Sequence, residues 1–87
     1  MIPKNIDRQA VLGAIRNIDE YGVPKRRLSR TYNVKYNDKL YPPKYLISVA
    51  NNIVNGQELE PFAFGGGVEA NSFLEKLGFE VVPFVNR

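Results

Sequence analysis

Apolar residues return at three- and four-residue spacing early in the chain, at Ala10, Val11, Ala14, Ile15 and Ile18, while Arg8, Arg16, Asn17, Asp19 and Glu20 fill the opposite side. One such stripe predicts an amphipathic helix over about 6–21, with Asn5 as its N-cap, Asp7 where the helix dipole favours a negative charge, and Gly22 as its stop. Gly13 in the interior costs about 1 kcal/mol against alanine, which makes it the expected point of a close crossing with another element. Pro24 ends any continuation, because it lacks a donor and biases Val23 toward extended backbone.

The period then changes to two. Tyr32, Val34 and Tyr36 alternate with Thr31, Asn33 and Lys35, the pattern of a half-buried strand with the first three facing inward. Asn37-Asp38 offers turn chemistry and Lys39-Leu40-Tyr41 a short return strand, so a hairpin is expected over about 31–41. Pro42-Pro43 closes it and opens a second helix over about 43–55, with Tyr45, Leu46, Val49, Ala50 and Ile53 as a broad apolar stripe. Residues 57–67 are irregular, with Phe62 and Phe64 expected to fold back into the core. A third helix is expected over about 68–77 on Ala70, Phe73, Leu74 and Leu77, and 79–83 reads as a closing strand with Pro83 at its end or on an edge. The order α-β-β-α-α-β predicts a small two-layer α+β domain: about three antiparallel strands, since a hairpin alone is marginal in water, with helices on one face.

Composition narrows what such a domain does. Eighty-seven residues are too few for two cores, so 1–87 reads as one domain. The absence of cysteine and histidine removes thiol nucleophiles, zinc fingers, disulfides and His general bases. With no base to activate a hydroxyl and no acid spacing suited to a metal, the chain reads as no enzyme by itself, needing neither cofactor nor metal and taking no small-molecule substrate. The apolar runs are too short to span a bilayer, and a cysteine-free small domain points to the cytoplasm.

Charge placement adds more. Residues 1–50 carry ten basic and four acidic side chains, a balance of +6, whereas 51–87 carry two basic and five acidic ones, a balance of −3. A basic half of this kind seeks polyanions. Lys25, Arg26, Arg27 and Arg30 follow the first helix, either complementing its dipole or contacting phosphates beside Tyr32 and Tyr36. Lys35 and Lys39 lie near the hairpin tip. Lys44 falls in the first turn of the second helix, against the dipole, so an acidic partner or a bound anion would offset it; the alternative is a rigid corner with a solvated lysine. Gly65-Gly66-Gly67 precedes a helix as phosphate loops do, but lacks the Lys-[Ser/Thr] ending of a Walker loop, and Glu69 can occupy the same N–H groups.

The run Lys39-Leu40-Tyr41-Pro42-Pro43-Lys44-Tyr45-Leu46-Ile47-Ser48-Val49-Ala50, then Pro61-Phe62-Ala63-Phe64-Gly65-Gly66-Gly67, then Asn71, Phe73, Leu74 and Leu77-Gly78-Phe79, resembles the N-terminal head domain of ScoMcrA-like modification-dependent restriction endonucleases. The similarity runs from the first helix through Phe79-Glu80-Val81-Val82. One departure is Asp38, where the family turn usually reads Tyr-Asn-Gly-Lys. In that family the head domain precedes domains that read modified DNA and an HNH nuclease domain that cuts it, and a chain without histidine holds no HNH motif. The resemblance implies a DNA-associated accessory module of a longer protein. On the two lines together, the expected role is non-catalytic DNA binding or positioning through Lys25, Arg26, Arg27, Arg30, Lys35, Lys39 and Lys44, with DNA and neighbouring domains of the parent protein as partners. The alternative is a protein-interaction or dimerisation module that orients those domains.

Overall fold

A computed structural model describes residues 1–29 and 31–83. Helix α1 (Arg8–Tyr21) is followed by a single 3-10 turn at Lys25–Arg27, strands β1 (Tyr32–Tyr36) and β2 (Lys39–Tyr41), helix α2 (Pro43–Asn55), a second 3-10 turn at Pro61–Ala63, helix α3 (Val68–Lys76) and strand β3 (Glu80–Pro83). The three strands form one antiparallel sheet in the order β2-β1-β3. The α+β class and the sequence of helices and strands follow the period changes along the chain.

Helix α1 starts two residues later than the spacing predicted. Asp7, not Asn5, is the N-cap, its Oδ1 accepting from the Ala10 amide at 2.9 Å. Asn5 is drawn away: its side-chain amide and that of Asn55 exchange hydrogen bonds of 2.7 and 3.1 Å, tying the start of the chain to the end of α2. Gly13 does mark a crossing. A Cβ there would stand 3.1 Å from Ile53 Cδ1, so α1 and α2 approach closely at that point.

Helix α2 is the centre of the molecule. Tyr45, Leu46, Val49 and Ala50 are buried as the stripe predicted, but so are Ile47, Ser48 and Asn51. The segment after α2 covers this further side: Ser48 Oγ donates to the Leu59 carbonyl at 2.7 Å, and Asn51 Nδ2 to the Gln57 carbonyl at 2.8 Å. Such bonds let polar side chains sit in a core without the cost of unpaired groups. Ile53, expected inside, is 49% exposed, although the tip of its side chain lies against Gly13 of α1. The core joins α1, α2, Val34, Tyr41, Phe64, Ala70, Leu74 and Phe79.

On the sheet, Val34 stands opposite Tyr41 on one side and Val81 on the other, and Lys35, Leu40 and Glu80 form an exposed row on the opposite face. Tyr32 and Tyr36 are half-buried rather than fully inward, and Asn33 is buried as well; of this strand only Val34 and Lys35 have a partner on both sides, whereas Tyr32 and Asn33 pair with β3 alone and Tyr36 with β2 alone. Asn37 and Asp38 take φ of 50° and 63°, the pair of left-handed residues that a two-residue hairpin turn demands. Asp38 therefore does what the family's usual glycine does. Phe64 is buried, but Phe62 is 86% exposed: the 3-10 turn at Pro61–Ala63 points the two rings in different directions. Among the described residues, no helix is long and apolar enough to cross a membrane.

Candidate nucleic-acid interface

The basic turn Lys25–Arg27 closes on itself through Arg27 N–H to the Pro24 carbonyl at 2.9 Å and Leu28 N–H to the Lys25 carbonyl at 3.3 Å. Pro24 holds φ near the value this turn requires. From it Arg26 and Arg27 reach one wall of a cleft of about 270 Å³. The floor and far side come from the strand–helix corner Pro42-Pro43-Lys44, from Thr31 and Tyr32, and from Pro61, Gly66, Gly67 and Asn71. Three segments distant in sequence thus meet at one place.

Aromatic rings hold two of the three cations that line this cleft. The Arg27 guanidinium carbon lies 5.0 Å from the centroid of Tyr45. Lys44 Nζ lies 5.1 Å from that of Phe64 and donates to the Pro61 carbonyl. Among the described residues Lys44 has no carboxylate at ion-pair distance, and it is not a freely solvated lysine either, since a ring and a backbone carbonyl hold its ammonium. A ring face and a carbonyl stabilise the ammonium against the unfavourable dipole of α2 while leaving its charge intact. Burial pushes the Tyr45 hydroxyl above its ordinary range; Glu58 adds to that and Arg27 opposes it.

Gly66 and Gly67 of the glycine triplet line the cleft as well. A Cβ on Gly66 would stand 3.2 Å from Lys44 Cδ, so the lysine stem runs directly over that residue. Gly67 has φ of 56° and ψ of −111°, a conformation that side-chain-bearing residues seldom adopt. Glu69 Oε1 accepts from the Gly65 amide at 2.7 Å, as its position in the first turn of α3 predicted. The triplet is therefore a tight turn that lets α3 present Asn71.

The seven expected contact residues separate into groups. Arg26, Arg27 and Lys44 line the cleft; Lys25 shares the basic turn but does not line it. Arg30 lies outside the described residues. Lys35 is exposed on the open sheet face, in register with Glu80. Lys39 is on a second cleft of about 280 Å³ lined by Leu12, Ile15, Arg16, Asp19, Tyr36, Asn37 and Tyr41. There its Nζ is 3.6 Å from Asp19 Oδ1. Separation in space, not in sequence, divides the hairpin lysines from the rest.

Spacing did not expose Ser29, Thr31 or Asn71 as cleft residues, because each is a single polar residue beside an apolar pattern. It also missed Arg8, whose guanidinium caps the Leu77 carbonyl at 2.7 Å and lies 4.5 Å from the Phe79 centroid. Compared with known proteins, residues 4–83 match the family model described as ScoMcrA-like, N-terminal head domain. No curated protein and no solved structure matches significantly.

Proposed function

The chain belongs to the ScoMcrA-like N-terminal head-domain family, a restriction-endonuclease-associated module, and on that premise we propose that it is a non-catalytic domain that binds and positions DNA. It acts in the cytoplasm as one domain, the N-terminal module of a longer nuclease-associated protein, whose other domains are its further partners.

The observation that carries this reading is the convergence of Arg26, Arg27 and Lys44 on one cleft with no carboxylate among its lining residues. Cations seated on rings keep their full charge, so they favour a polyanion that approaches the cleft mouth. Lys25 extends the same surface. Contacts of this type go to phosphates, which fix where a protein sits on DNA without reading its sequence. Lys35 belongs to a different face and contributes through the long-range field.

Titration of the chain with a short duplex at two salt concentrations tests the reading. Binding should weaken steeply with salt, the log–log slope changing by about 0.9 for each phosphate contact. Amide shifts should centre on the basic turn and on Lys44, just after the Pro42-Pro43 corner. Binding indifferent to salt, or shifts confined to the β3 edge, would overturn it.

A second reading, a protein-interaction or dimerisation module, draws support from the exposed apolar side chains Leu40, Phe62 and Val68 and from β2 and β3, which are the sheet edges among the described residues. Concentration-dependent sedimentation would favour it, and a strict monomer that binds no neighbouring domain would remove it.

A further inference from the structure

The cleft holds more than phosphate contacts require. Arg27 Nη2 and Asn71 Oδ1 are both withdrawn from solvent at its wall, and among the described residues neither has a hydrogen-bond partner. Buried polar atoms without partners are uncommon in folded proteins and costly to keep. Two of them on residues that line one cleft from different segments indicate a ligand that supplies both an acceptor and a donor once those side chains turn toward it.

The acceptor is the informative one. An amide oxygen repels a phosphate oxygen and attracts an N–H group, so Asn71 Oδ1, unlike the cations around it, calls for a donor on the ligand. A nucleobase edge carries acceptors and N–H donors side by side, and arginine with asparagine is a pairing suited to such edges. The cleft volume of about 270 Å³ is small for a ligand pocket and far too small for a duplex. A single extruded unit is what can enter. Tyr32, half-buried on the lining, offers a ring for stacking, and Pro42 and Pro43 provide flat apolar contact. Phe62 stands 86% exposed beside the lining residue Pro61, where it can stack on a base next to the one inside.

We propose that this cleft takes one unpaired nucleotide, its base edge read by Arg27 and Asn71 and its phosphate held by Lys44 and Arg26 at the mouth. The terminal torsion of asparagine is soft, so Asn71 turns its amide into the cleft with little strain. The inference rests on the phosphate-binding reading above, since without the cations nothing would draw nucleic acid to this face. It adds a preference for unpaired over paired nucleotides.

The full chain is titrated with a fully paired duplex, with the same duplex carrying one unpaired nucleotide, and with a short single strand. The probe with the unpaired nucleotide should bind about tenfold more tightly than the paired one, the effect of one base stacked and contacted. Asn71→Ala should reduce that ratio to about twofold or less. Should that variant fail to fold, the unsubstituted chain still decides: the unpaired probe alone should shift the amides of Thr31, Gly66 and Gly67. Salt-sensitive binding with equal affinity for paired and unpaired probes overturns the nucleotide pocket and leaves the phosphate reading standing. No binding of any probe overturns both.

Discussion

The two clefts of this domain are almost equal in volume, about 270 and 280 Å³, and each has lysine, arginine and tyrosine on its walls. What differs is how the cations are held. In the second cleft Lys39 faces Asp19, the one ion pair among the described residues, and the same Asp19 Oδ1 accepts a 2.7 Å hydrogen bond from the Tyr41 hydroxyl. In the first, Arg27 rests on Tyr45 and Lys44 on Phe64. A carboxylate cancels the charge it binds, whereas a ring orients a cation and leaves its charge available to a partner. Counting lysines and arginines therefore overstates the charge open to a partner; what a cation sits on decides whether it is available.

The largest expected break in this comparison comes from Phe64→Ala. It removes a buried ring and the seat of Lys44, and should cost about 3–5 kcal/mol of stability, read as a fall in the urea midpoint. Shifts in the native spectrum should concentrate around the first cleft and spare the second.

Next comes a contrast of charge removal. The triple variant Arg26→Gln, Arg27→Gln, Lys44→Gln should lower the salt slope of duplex binding by about 0.9 for each phosphate no longer neutralised, with affinity falling on the order of a hundredfold at low salt. The pair Lys35→Gln, Lys39→Gln should change affinity by no more than a few-fold. Equal losses from both sets would erase the distinction between the clefts.

Smaller and confined to the second cleft is Tyr41→Phe, which should cost about 1 kcal/mol because the hydroxyl no longer donates to Asp19. Burial first, then the bond to Asp19 and its charge, pushes the Tyr41 hydroxyl up to about 12 from an ordinary 10.0. The folded state thus keeps its proton at pH values where the unfolded chain has lost it. The stability gained from that hydroxyl is complete below pH about 10 and declines as pH rises toward 12. Chemical denaturation across this window should show a steeper alkaline loss for the unsubstituted chain than for Tyr41→Phe.

The smallest effect belongs to Asp19→Asn. It removes a solvent-accessible ion pair, worth at most about 1 kcal/mol, while an amide oxygen can still accept from Tyr41. Its use is diagnostic: freeing Lys39 should raise duplex affinity slightly if that lysine is silent only because Asp19 neutralises it.

Local rules carried far along this chain. The stripe from Ala10 to Ile18, the proline-opened helix over 43–55 and the Asn37-Asp38 turn were legible because periodicity, proline and left-handed turn residues act through near neighbours. Membership of the head-domain family was legible too, in runs such as Tyr41-Pro42-Pro43-Lys44. Errors arose where a distant segment intervened. Asn5 bonds Asn55, fifty residues away, and Asp7 takes the cap instead; Ser48 and Asn51 became buried because the chain returned over α2. The candidate site divides in the same way. The residue types and the basic half were visible in order along the chain, but the grouping of Arg26, Arg27 and Lys44 with Asn71, and the diversion of Lys39 to Asp19, were not.

The elements, their order and the surplus of positive charge depend on spacing, side-chain type and composition, all of which chain order carries. Which charges remain available, and which polar atoms are left unpartnered on residues lining one cleft, follows from packing. Ion pairs, cation–ring contacts and clefts form between residues that chain order does not relate, and their energies depend on distances of a few ångströms that exist only once the helices and the sheet have packed.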